Sequence, residues 1–301
     1  MMKLAESDGR QTGRSMKYQS INQFLQLGPR RLVDGPVGIV IVEDWIEIDS
    51  TLRHHLRLGF QNLIVIGPEQ LPVEKDLRAR VHHIWRDPVV PGGASALINP
   101  LLPAFEGRWV YYCFNAEYLF FPFCETRSIA EVTRFVTEEK RDSVLTYVID
   151  LYADDLSKYP DGVSLENAHL DRAGYYALGR WRDGQVMERQ LDMHGGLRWR
   201  FEEHVPEDRR RIDRIGLFRA KKGLEMRPDH TFNDEEYNTY SCPWHHNLTA
   251  AVCSFRAAKA LKTNPGSSQQ IPSFLWFNSV RFEWQSEQLL DLGLMEPGQW
   301  F

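Results

Sequence analysis

The sequence predicts an α/β protein built on a mostly parallel sheet flanked by helices, with a more irregular C-terminal half. Two continuous β-branched runs, VGIVIV (37–42) and NLIVI (62–66), have the pattern of strands buried on both faces. Between them, EDWIEIDSTLRHHLRLGF (43–60) sets Trp45, Ile48, Leu52, His55 and Gly59 at helical spacing, and Gly59 suits a helix stop. Strand, helix and strand joined by short turns form a βαβ unit, which implies parallel pairing.

The remaining elements follow in order. Residues 1–34 read as a polar N-terminal arm with a short helix at Ile21–Leu27, and order begins at the Gly35-Pro36 turn. Val81–Trp85 reads as a third strand, and Ser95–Phe105 as a helix interrupted by Pro100 and Pro103. Trp109–Phe114 is a strand that runs into an aromatic stretch closed by Pro122. Ser128 and Glu131 have capping-box spacing, and Ile129, Val132, Phe135 and Val136 give one apolar face, so Ser128–Lys140 is a helix. Ser143–Tyr152 is a further strand.

After Ala153, Gly, Asp and Arg punctuate the pattern. Arg209–Lys222 contains seven basic residues and reads as a solvated charged face. Leu248–Leu261 has helical spacing, Asn264–Gln270 is a loop, and the aromatic tail Phe274–Phe301 holds a short helix at Gln285–Leu292. We expect one domain over 35–301, divided into halves 35–156 and 157–301, with no repeat of fixed period.

Composition narrows the function classes. A chain of 301 residues with net charge -5 does not have the basic surface of a nucleic-acid binder. Cys113, Cys124, Cys242 and Cys253 are too few for a disulfide framework and fit reduced thiols. Met1–Gln19 has no apolar core of a secretory signal, and the longest aliphatic runs fall far below the roughly 18 residues of a membrane helix. A cytoplasmic protein is the expectation, and peripheral action at a membrane surface stays open.

The stretch YYCFNAEYLFFPF (111–123) poses the main chemical question, because Glu117 stands alone among apolar side chains. Burying an unpaired carboxylate costs several kcal/mol, so Glu117 either caps a turn or faces a crevice. Cys242, His245, His246 and Cys253 invite a zinc reading, but their spacing matches no usual zinc signature. There is no Gly-x-Ser-x-Gly elbow, no phosphate-binding Gly-x-x-x-x-Gly-Lys loop and no Gly-x-Gly-x-x-Gly. The aromatic tail reads as core packing, with a sugar-stacking or partner surface as the alternative.

WVYYCFNAEYLFFP (109–122) resembles the strand end of family-2-type glycosyltransferases of the GT-A fold, where a Trp, several apolar residues, Asp-x-Asp-Glu-Phe-Leu and a Pro follow one another. HHLRLGFQNLIVIG (54–67), VIDLYADDL (148–156), GGLRWRF (195–201), IDRIGLFRAKKGLEMRPDHTF (212–232) and QLLDLGLMEPGQWF (288–301) resemble later segments in the family's order. The resemblance implies a GT-A-like fold and sugar transfer from a nucleotide-sugar donor to a glycan or other hydroxyl acceptor, as in cell-envelope polysaccharide assembly. In that family the Asp-x-Asp acids hold Mn²⁺ or Mg²⁺, which neutralises the leaving diphosphate.

Here Phe114 and Ala116 stand at the two Asp positions, and a one-residue slide offers Asn115 and Glu117 as the only metal-site candidates. Ser254 stands where the family often has His, and Glu69 is the acid left after the second strand. The resemblance then implies Glu117 with Asp154 or Asp155 as catalytic acids, and Asn115, Glu69, Arg198 and Arg200 toward the donor. It places His230 on the acceptor side. Arginine forks can replace a metal on a diphosphate. The alternative is a non-catalytic protein of the same fold that binds a glycan or a partner protein.

Overall fold

A computed structural model describes residues 16–87, 90–241 and 246–300. Strand β1 (Lys17–Tyr18) and helix α1 (Ile21–Leu27) precede the βαβ unit β2 (Val37–Ile41), α2 (Ile48–Arg57) and β3 (Asn62–Gly67). Then come α3 (Lys75–Arg78), β4 (Val81–Trp85), α4 (Gly93–Ile98), β5 (Trp109–Phe114), β6 (Glu117–Phe120), α5 (Ile129–Glu138) and β7 (Ser143–Asp150). The second half contains β8 (Tyr152–Ala153), β9 (Ala168–Asp171), β10 (Tyr176–Arg182), β11 (Gln185–His194), α6 (Gly196–Arg200) and β12 (Asp213–Arg219). It ends with β13 (Ala250–Ser254), α7 (Arg256–Thr263), α8 (Pro265–Ser268), β14 (Ser279–Arg281) and α9 (Ser286–Asp291).

The protein is α/β, and its main sheet has nine strands in the order β1-β4-β3-β2-β5-β12-β7-β13-β6. β1 to β5 pair in parallel, as does β13 with β7, whereas β12 and β6 run antiparallel to their neighbours. The alternation of each strand divides the core. Ile39, Ile41, Tyr112 and Phe114 face the layer that contains α4, while Val40, Tyr111 and Cys113 face α2 and α5. α5 starts with the expected capping box: the Glu131 carboxylate accepts from the Ser128 N–H at 2.8 Å, and Ser128 Oγ accepts in return.

Burial sets the states of the α2 histidines. Loss of solvent pushes His54 down to about 3 and His55 to about 4, so both are neutral. His54 Nε2 donates to the Leu119 carbonyl at 2.7 Å and ties α2 to β6. In the tail, Trp284 meets Tyr118 edge-on at 4.9 Å and Trp300 stacks on Phe135 at 5.9 Å, so these rings pack against the fold. Among the described residues, no helix is long and apolar enough to cross a membrane.

Several local expectations are corrected. Trp45 is 57% exposed and precedes α2 rather than joining its buried face. Residues 99–105 form a 3-10 helix after α4, because Pro100 and Pro103 cannot donate along an α-helix. Arg209–Lys222 is not a solvated face: its middle is β12, paired with both β5 and β7 and buried along nearly all its length. Leu248–Leu261 is a strand followed by a helix, not one helix. Within the N-terminal segment, β1 pairs with β4 and α1 buries Ile21 and Phe24.

Candidate functional site: the strand-end crevice

The carboxyl ends of parallel strands open a crevice where strand order reverses, and loops after each strand place polar groups there. Here β2 delivers Glu43 and Asp44, β5 delivers Asn115, β7 ends in Asp150, and β13 leads into Arg256 and Lys259. The antiparallel β12 brings Arg214 from the opposite direction.

Glu117 begins β6 and is fully buried. Ala116 makes the sharp turn before it with φ 60°, its N–H donating to Thr51 Oγ1 at 2.8 Å. Glu117 Oε2 accepts from Arg214 Nη2 at 2.7 Å and from the Phe114 N–H at 2.9 Å, while Oε1 accepts from Ser254 Oγ at 3.1 Å. Burial alone raises a carboxyl pKa, but the charges of Arg214 and Arg256 and these hydrogen bonds overcome it, holding Glu117 down at about 2. Arg214 also lies 5.1 Å from the Tyr112 ring centroid.

The neighbouring charges are paired as closely. Arg256 grips Glu43 with two hydrogen bonds, each 2.6 Å, and lies 3.6 Å from the Phe114 ring centroid. Lys259 Nζ donates to Asp44 Oδ2 at 2.8 Å, and Asn115 Nδ2 donates to Asp44 Oδ1 at 2.6 Å. The Asn115 carbonyl oxygen is taken by the Glu43 N–H at 2.8 Å.

Asp150 differs. Burial pushes its carboxyl up to about 6 despite the nearby Arg198 charge. Arg198 approaches only to 3.5 Å at Nε, its N–H donates at 3.3 Å, and Asp150 Oδ1 has no hydrogen-bond partner. Gly196, with φ 63°, lies against it, and a Cβ there would sit 2.9 Å from Oδ2. The Tyr175 hydroxyl is also buried without a partner.

The structure thus brings Asn115, Glu117 and Arg198 to the strand ends. His230 stands there too, with Nδ1 2.8 Å from the Tyr112 hydroxyl, and burial with the Arg214 and Arg256 charges pushes it down to about 3. Arg200 turns away to Asp171 at 3.1 Å and the Phe274 carbonyl at 2.6 Å, stacked over Trp276. Asp155 accepts from the Ser157 N–H at 2.9 Å, the Asp154 side chain keeps one oxygen unpartnered, and Glu69 is exposed on the loop after β3. Glu43, Asp44, Asp150, Arg214, Arg256 and Lys259 were not singled out from sequence. An acid directly after a β-branched run is a usable signal for Glu43 and Asp44, whereas nothing local marks Arg214.

The donor set does not fit a divalent ion. Phe114 and Ala116 offer no ligand atom, and the oxygens of Asn115 and Glu117 are already accepting hydrogen bonds from protein groups. Among the described residues, no group of three His, Cys, Asp or Glu side chains is placed to hold a metal. Cys242 and His245 lie outside the described residues, and Cys253 is buried in β13.

Beside the crevice, α6 carries Trp199, which is 39% exposed and 6.4 Å from Trp276. Phe277, 80% exposed, lies 4.7 Å from Trp276. Trp199 and Phe277 form an open aromatic surface around the half-buried Trp276.

No family model and no curated protein matches the chain. Among solved structures it is similar to a protein from Bacillus anthracis described as a glucose-1-phosphate thymidylyltransferase, in complex with a sucrose. That match has 8% identity and a TM-score of 0.31, covering 61% of this chain and 70% of the other. It is also similar to a UDP-glucose pyrophosphorylase from Acinetobacter baumanii, at 9% identity and TM-score 0.34, covering 79% of this chain and 97% of the other. Both likenesses are distant.

Proposed function

We propose that this protein is a non-catalytic member of the GT-A-like fold that binds a carbohydrate chain beside a closed crevice. The observation that carries this reading is the pairing of Arg214 with Glu117, Arg256 with Glu43 and Lys259 with Asp44. The cations that would neutralise a diphosphate already neutralise the chain's own acids, and a donor would have to break these pairs, of which Arg214–Glu117 is fully buried, to enter. The exposed rings of Trp199 and Phe277, backed by the half-buried Trp276, supply the flat apolar faces on which pyranose rings stack. The test is calorimetry with UDP-, GDP- and TDP-sugars, with and without Mn²⁺, alongside a panel of oligosaccharides. The expected result is no nucleotide-sugar binding and oligosaccharide binding that Phe277→Ala weakens at least fivefold. Nucleotide-sugar turnover overturns the reading.

One observation favours a second reading, metal-independent glycosyl transfer. Asp150 has an unpartnered oxygen and a carboxyl raised to about 6, the range of a general base that takes a proton from an acceptor hydroxyl. Metal-free turnover that Asp150→Asn abolishes would establish it.

A further inference from the structure

A cavity of about 490 Å³ lies along the outer face of α2, away from the ion pairs of the crevice. That is the size of a small-molecule site. Its apolar wall is Leu56, Leu165 and Trp284. The wall is fixed in place: Trp284 has φ 59°, donates from Nε1 to the Leu165 carbonyl at 3.0 Å, and rests edge-on against Tyr118. Arg53, Arg57 and Arg80 supply the basic rim.

The arginines are not equivalent. Arg53 is held by Glu74 at 2.7 Å and Asp76 at 2.9 Å. Among the described residues Arg57 and Arg80 have no carboxylate partner, and both are exposed. In a chain of net charge -5, with nearly every crevice cation paired, two unpaired guanidiniums beside an apolar wall are complementary to one kind of ligand.

We propose that this cavity binds a small amphiphile with a single phosphate or carboxylate head, the head on Arg57 and Arg80 and the apolar body against Leu56, Leu165 and Trp284. The site is independent of the crevice and of any carbohydrate held there. Free anions share the head chemistry but lack the body, and a bilayer presents the head without entering the cavity.

The experiment is calorimetry of the full chain with monomeric decyl phosphate, decanol, inorganic phosphate and phosphatidylglycerol vesicles. Decyl phosphate is expected to bind at least tenfold more tightly than decanol or inorganic phosphate. The double variant Arg57→Gln/Arg80→Gln, both positions exposed and its fold checked by thermal melting, is expected to lose at least tenfold in affinity. Leu165→Gln, at the apolar wall, should weaken decyl phosphate and leave the affinity for inorganic phosphate unchanged. Absence of decyl phosphate binding, equal affinity in the double variant, equal affinity for inorganic phosphate, or binding to vesicles alone would each overturn the proposal.

Discussion

Glu117 and Asp150 are both carboxylates buried at strand ends of the same sheet, yet their proton affinities move in opposite directions. Glu117 sits at about 2 and Asp150 at about 6. Desolvation is the largest influence on each, so burial does not separate them. The partner does: Glu117 accepts a 2.7 Å hydrogen bond from a buried guanidinium, whereas Asp150 has only a loose approach at 3.5 Å and one oxygen without a donor. A buried acid becomes a structural ion or a proton-holding group according to how completely its lone pairs are met.

The most disruptive way to break this comparison is Arg214→Met, which leaves the Glu117 charge buried and unpaired. Chemical denaturation should show a loss of about 3–5 kcal/mol, partly restored by adding Glu117→Gln. An additive double variant would show that the pair is not coupled.

pH sharpens the contrast next. Glu117 is held below its ordinary 4.5, so its stabilisation is present above that pH and is lost as pH falls toward 2. Asp150 is raised from 3.8, so the folded state binds the extra proton and stability falls as pH rises from about 4 to about 6. Denaturation across this window should show wild type losing on the order of 2 kcal/mol relative to Asp150→Asn, whose own slope retains the opposite contributions of Glu117 and the other paired acids. An unchanged slope would assign the proton elsewhere. The smallest effect is expected from Ser254→Ala, which removes one donor to Glu117: about 1.5 kcal/mol by denaturation, with the Glu117 transition moved to higher pH.

The same contrast explains what the sequence could reveal. β2 and β3 were legible because a strand buried on both faces needs an unbroken β-branched run. The α5 start was legible because its cap is local. β12 was hidden by its own charges, since Arg214 is a core residue only because Glu117, 97 positions away, meets it. β13 was hidden because AAVCS is short and shares apolar spacing with the helix that follows. Glu117 stood out as an acid in an aromatic run. Its role did not, because long-range pairing leaves no period in the chain. Asp150 looked like an ordinary strand residue, and only the tertiary packing around it leaves Oδ1 without a donor.

The antiparallel pairing of β6 with β13 has a consequence for synthesis. β6 is made early, but the strand that covers its hydrogen-bonding edge arrives more than a hundred residues later, as the 137-residue separation of Ser254 from Glu117 shows. Until then Glu117–Phe120 has no strand partner, because β13 is the strand that joins β6 to β7. A ribosome-bound chain that stalls before Ala250 therefore carries an unpaired strand, and only the arrival of β13 covers it.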